Sequence, residues 1–107
     1  MLVDKIKLIT DACEDKIATD IKVIELDEGS ALADYFVIAT GNTANQTQSI
    51  ADEVEKVAEE NGFDLLGKEG YRDGNWILVD LDDIIVHVFT PDFREYYDLE
   101  RLWSKNL

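Results

Sequence analysis

Apolar residues recur at helical spacing from the start of the chain. Leu2, Ile6, Ile9 and Cys13 form one stripe that Ile17 extends, which predicts an amphipathic helix over residues 2–17. Residues 21–26 (IKVIEL) alternate apolar with polar and predict a half-buried strand. After a break at Gly29-Ser30, residues 35–40 (YFVIAT) are almost continuously apolar, the pattern of a central strand covered on both faces. Gly41-Asn42-Thr43 ends that strand and supplies capping side chains for a long helix to about Glu60, with Ile50, Val54, Val57 and Ala58 as its buried stripe. Asn61-Gly62 is a helix stop. Residues 63–66 (FDLL) predict a short strand, and Gly67 to Asn75 a polar loop.

The clearest local signal follows. Residues 76–81 (WILVDL) and 84–89 (IIVHVF) are two strands joined by Asp82-Asp83, the spacing of a two-residue hairpin. That spacing sets Leu81 opposite Ile84, Val79 opposite Val86 and Ile77 opposite Val88, an aliphatic core face. The other face pairs Asp80 with Ile85, Leu78 with His87 and Trp76 with Phe89. Two readings of this mixed face stand. Either a second layer of helix covers it and His87 is a satisfied core histidine, or part of it stays open as a docking patch. Asp82 stands where a tight turn wants a positive φ, so a strain of roughly 1 kcal/mol or a looser turn is expected. Thr90-Pro91 then opens a last helix, with Thr90 as cap and Pro91 at the first position. The sum is one domain over 1–107, an α/β fold with a mixed sheet of about five strands and flanking helices.

Charge changes the picture more than composition does. Twenty-four acidic residues face ten basic ones, a net charge of -14. Such a field repels phosphate backbones and anionic membranes and favours a basic protein partner. Cys13 is the one cysteine, lies on the first apolar stripe and is expected to be a buried thiol. Asp4, Lys5 and Lys7 interrupt the first apolar residues, so no secretory leader is expected. Nor does any apolar run approach the roughly 20 residues of a membrane span, and the expected compartment is the cytoplasm.

Candidate chemistry is sparse. Gly29-Ser30 with Asp80 and Asp82 resembles the Gly-Ser turn and metal-binding aspartates of nucleotidyltransferases, but those aspartates should follow the turn closely and here lie on a distant hairpin. A single histidine makes neither a zinc site nor, with Cys13 on an apolar stripe, a Cys/His dyad. No catalytic residue, metal or cofactor is expected. An interface needs anchors instead, and Trp, Tyr and Arg are the usual ones. Trp76 and Phe89 are the candidate apolar anchors if the mixed face is open. Asp80 and Asp83 would meet basic side chains of a partner. His87 would donate a hydrogen bond across the interface, or only orient Asp80 or a backbone group. Arg94, Tyr97 and Glu100, at i, i+3 and i+6 on the last helix, would face broadly one way. Tyr97 also stands four residues after Phe93, the spacing of a core pair, while Leu99, Leu102 and Trp103 read as packing residues.

Residues 34–41 (DYFVIATG) and 50–54 (IADEV), then Trp76, the Asp80 to Asp83 turn, Val86-His87-Val88-Phe89, Arg94, Tyr97-Asp98-Leu99-Glu100 and Leu102-Trp103, resemble the ribosomal silencing factor (Iojap/RsfS) family over about residues 3–104. The family pattern has glycine where this chain has Asp82. The resemblance implies a nucleotidyltransferase-like fold without the catalytic residues and a homodimer when free. It also implies binding to the large ribosomal subunit through its ribosomal protein fourteen, which obstructs joining of the small subunit and lowers translation when nutrients are short. Organellar relatives similarly assist large-subunit assembly.

Overall fold

The structure is a computed structural model that describes residues 2–103. In chain order the elements are α1 (Leu2–Asp15), β1 (Thr19–Glu25), β2 (Tyr35–Thr40), α2 (Ala44–Glu60), β3 (Gly67–Glu69), β4 (Trp76–Asp80), β5 (Ile84–Phe89), α3 (Pro91–Tyr97) and α4 (Leu99–Trp103). The five strands form one mixed sheet in the order β1-β2-β5-β4-β3. Only β2 and β5 run parallel, from Tyr35 opposite Ile84 to Thr40 opposite Phe89. A parallel pair needs a crossover connection, and α2 supplies it.

Both faces of this sheet are covered. On the first, Ile9, Ala12 and Cys13 of α1 and Ile50, Ala51, Val54 and Ala58 of α2 pack on Val37, Ala39, Ile77, Val79, Val86 and Val88. Burial in that layer pushes the Cys13 thiol up to about 12, so it stays protonated and packs as a small apolar group. On the second face, Phe36, Ile38, Ile85 and Phe89 pack with Ile24, Leu26, Ala33 and Leu99. The continuously apolar β2 therefore sits inside the sheet, as its pattern predicts.

The long helix begins as expected, with the Thr43 side chain accepting from the Gln46 N–H at 3.2 Å. Three expectations differ. The short strand forms at Gly67–Glu69 and not at 63–66, because an edge strand needs only backbone to pair with β4, and Leu66 is left 61% exposed. Thr90 places its hydroxyl toward the Asn75 carbonyl at 3.4 Å instead of capping α3. The last helix breaks at Asp98, whose φ of 48° is left-handed, and restarts as α4.

The first helix ends at Asp15, two residues before the apolar stripe does. The Ala18 N–H bonds the Cys13 carbonyl at 3.1 Å and the Ile17 N–H bonds the Glu14 carbonyl at 2.9 Å, the paired bonds of a Schellman cap. The residue in the left-handed position of that cap is Ile17, with φ of 64° and 72% exposure. A β-branched side chain there is strained and gains little from burial. Asp82, with φ of 78°, occupies the first central position of the β4–β5 turn, which closes tightly through the Leu81 N–H to the Ile84 carbonyl at 2.9 Å. The turn is tight and strained, not loosened. Ile17→Gly and Asp82→Gly are each expected to raise stability by about 0.5–1 kcal/mol, the left-handed strain less the entropy that glycine adds to the unfolded chain. Urea unfolding reads this as a higher midpoint at unchanged slope.

Candidate partner-binding surface

The hairpin register is the one its spacing predicts: Trp76 opposite Phe89, Leu78 opposite His87 and Asp80 opposite Ile85 on the mixed face. Because β5 is central and the chain after it folds back as α3 and α4, most of that face is sealed. Phe89 is 0% exposed and His87 4%. Phe89 is therefore corrected from surface anchor to buried support, its ring 5.0 Å from that of Trp76.

His87 does something the sequence did not suggest. Its Nδ1 accepts a hydrogen bond from the Trp76 Nε1–H at 3.1 Å. The ring also meets Phe36 edge-on with centroids 4.5 Å apart. An accepting Nδ1 leaves the proton on Nε2, and that Nε2 is buried with no hydrogen-bond partner among the described residues. Burial alone pushes the imidazole down to about 4, so it is neutral near pH 7. Its hydrogen bond is with Trp76, while Asp80 is held by the Asp82 N–H.

Trp76, at the start of β4, is half-buried. Gly70 makes room for it: with φ of 77°, a Cβ there would lie 2.0 Å from the Trp76 carbonyl oxygen, so only glycine lets the preceding loop turn back over β4. Tyr97 packs on the indole at 4.7 Å, on Phe93 at 5.7 Å and on Tyr96 at 5.0 Å, yet stays 43% exposed. Tyr97 is thus neither a sealed core residue nor a bare surface one. Tyr96 and Leu102 are 81% and 69% exposed, and together with Glu95, Tyr97, Asp98 and Arg101 they line an open groove of about 560 Å³. Leu102 is thus corrected from packing residue to surface residue, whereas Leu99 is buried and Trp103 packs edge-on against Phe36 at 5.5 Å. Tyr96 is the most exposed of these rings, and helix geometry makes it so: adjacent helical residues point about 100° apart, so Tyr96 and Tyr97 cannot share one buried face.

The charged candidates find partners inside the chain. Because the helix breaks at Asp98, Glu100 turns back and its Oε2 accepts from Arg94 Nη2 at 3.1 Å and Nε at 3.3 Å. Arg94 Nη1 donates to the Thr40 hydroxyl at 2.7 Å, and the whole residue is buried. Arg94, Tyr97 and Glu100 do not form one helix face. At the turn, Asp83 pairs with Lys5, which also donates to the Leu81 carbonyl at 2.9 Å. Asp80 Oδ1 accepts the Asp82 N–H at 2.9 Å and braces the strained turn. The acidic turn and the aromatic patch stand at opposite ends of β4, four residues or roughly 13 Å apart.

Residues 2–106 match the family described as "Ribosomal silencing factor during starvation". The Ribosomal silencing factor RsfS of Bacillus subtilis is 46% identical over 99 residues, which span 92% of this chain and 84% of that protein. The mouse protein named Mitochondrial assembly of ribosomal large subunit protein 1 is 29% identical over 90 residues, 81% of this chain and 40% of its own length. A crystal structure of a protein from Chromobacterium violaceum superposes with a TM-score of 0.93 at 34% identity, covering 100% of this chain and 90% of that one.

Two outcomes follow from the geometry. Phe89→Ala is expected to destabilise the fold by roughly 3–5 kcal/mol, seen in thermal or urea unfolding, because it empties a sealed site. The His87 imidazole, at about 4 when folded and 6.5 when free, binds its proton more readily in the unfolded chain. Its contribution to stability is therefore full above pH 6.5 and lost as pH falls toward 4, by up to about 3 kcal/mol. His87→Asn, compared with the parent by urea unfolding between pH 7 and 4, removes that part of the slope.

Proposed function

The chain belongs to the ribosomal silencing factor family, and from that premise we propose that it represses translation by seating on the large ribosomal subunit and obstructing the small one. The contact is proposed to run through large-subunit ribosomal protein fourteen. The observation that carries this reading is the exposed patch of Tyr96, Tyr97 and Leu102, which lines a groove with Glu95, Asp98 and Arg101 and is backed by the half-buried Trp76 against Tyr97. Rigid aromatics with an apolar body and a polar tip are the side chains that anchor protein interfaces. Carboxylates around them, in a chain of net charge -14, suit a basic protein surface and oppose direct docking on RNA. Obstruction needs affinity and position, not a reactive group. Asp80, the aspartate that a nucleotidyltransferase reading would give to a metal, is engaged in bracing its own turn. We take the free protein to be a cytoplasmic homodimer.

Of the candidates first drawn from the sequence, Trp76 and Tyr97 remain as partner contacts in this proposal, and Tyr96 and Leu102 join them. Asp80, Asp83, Arg94 and Glu100 shape the rim and the turn through their internal partners. A second reading, action on large subunits still being assembled, is favoured by the name of the mouse relative. The two differ in which particles hold the protein, and sucrose-gradient fractionation of cell lysate distinguishes them: mature subunits for silencing, precursors alone for assembly.

Trp76→Ala is expected to leave the fold intact and to weaken cosedimentation with purified large subunits by about thirtyfold, the effect of losing one central aromatic anchor. Undiminished binding would remove the patch from the proposal.

A further inference from the structure

The buried His87 is an odd choice for a strand that only needs to pack. Every residue of β5 from Ile84 to Phe89 is buried, and the other five are aliphatic or aromatic. His87 faces Phe36, Phe89, Trp76 and its cross-strand neighbour Leu78. In those surroundings its Nε2–H has no acceptor among the described residues. An unsatisfied buried donor opposes folding, and an aliphatic residue of similar size would avoid it. What the imidazole supplies in return is a single acceptor, Nδ1, to the indole of Trp76.

We infer that His87 is a positioning residue for partner binding: its Nδ1 fixes the rotation of the Trp76 indole, which also contacts Phe89 and Tyr97, so that the half-buried Trp76 is presented ready-made to a basic protein partner. This rests on the reading of Trp76 as an anchor. A tryptophan in ring contact with Phe89 and Tyr97 is confined but can still slide or flip about its χ2. A hydrogen bond at the indole nitrogen selects one orientation. Affinity then gains because the anchor is ordered before the partner arrives. The device works through a neutral acceptor and contributes nothing to the interface directly, since His87 is itself sealed.

The test compares His87→Leu, His87→Asn and Trp76→Ala in the full chain, by urea unfolding, by the NMR signal and solvent exchange of the Trp76 indole N–H, and by cosedimentation with purified large subunits. Asparagine sets its Oδ1 where Nδ1 stands, whereas leucine offers no acceptor. His87→Leu is expected to fold with an unchanged or higher unfolding midpoint, to speed exchange of the Trp76 indole N–H, and to weaken binding by about tenfold, the worth of one hydrogen bond. His87→Asn should keep the slow exchange and bind within about twofold of the parent. Normal binding by His87→Leu while Trp76→Ala binds poorly would overturn the inference and leave the anchor reading standing. Loss of stability in His87→Leu that tracks its loss of binding would overturn it too, by making the histidine merely structural. If Trp76→Ala binds normally, the anchor reading fails. The indole exchange then decides whether His87 orients Trp76 at all, and unchanged exchange in His87→Leu would dispose of that as well.

Discussion

The parallel pairing of β2 with β5 is the constraint on which the rest depends. It places β5 in the middle of the sheet, with β2 on one side and β4 on the other. A strand so placed has no free edge, and with α1 and α2 on the first face, the apolar second face of β2 and β5, with Phe36, Ile38, Ile85 and Phe89, still needs cover. The chain meets that demand with its own C-terminal third: Leu99, Phe93 and Trp103 come back over Phe36 and Phe89. The exposed aromatic surface is therefore not on the sheet but at its margin, where Trp76 begins β4 and the turns of α3 and α4 run past it.

Electrostatics follow the same logic. A chain this acidic has few bases to distribute, and several of them serve internal joints. Lys5 holds the β4–β5 turn to α1, Lys68 pairs with Glu55 at 3.1 Å, and Arg94 ties α3 to the end of β2 and to Glu100. These joints are half-buried or buried, so they are screened less than surface pairs and hold the elements in register. The carboxylates that remain face solvent, where they give the molecule its field.

Much of this was readable from residue order. The hairpin register follows from two strands separated by Asp82-Asp83, since a two-residue connection leaves no freedom in pairing. The stripe of α2 and the unbroken apolar run of β2 are equally local signals. What could not be read is what depends on the return path of the chain. Whether His87 and Phe89 were covered turned on where α4 lands, and α4 lands there because the chain bends at Asp98, a residue that only tolerates the left-handed region and so does not announce a break. Arg94 and Glu100 looked like neighbours on one helix face and became partners across that bend. At the other extreme, FDLL looked like a strand because apolar residues dominate it, while the actual edge strand beside it is Gly-Lys-Glu, where backbone pairing alone decides.

The β4–β5 hairpin has two unlike poles. At one end the indole of Trp76 is clasped among rings, and at the other Asp80, Asp82 and Asp83 crowd a tight turn. A body gripping the aromatic pole cannot spin about it freely, because each rotation swings a cluster of negative charge across whatever lies alongside. In the proposed contact the hairpin would act as a compass needle, setting heading as well as attachment. Under the proposed obstruction of the small subunit, facing the right direction matters as much as holding on.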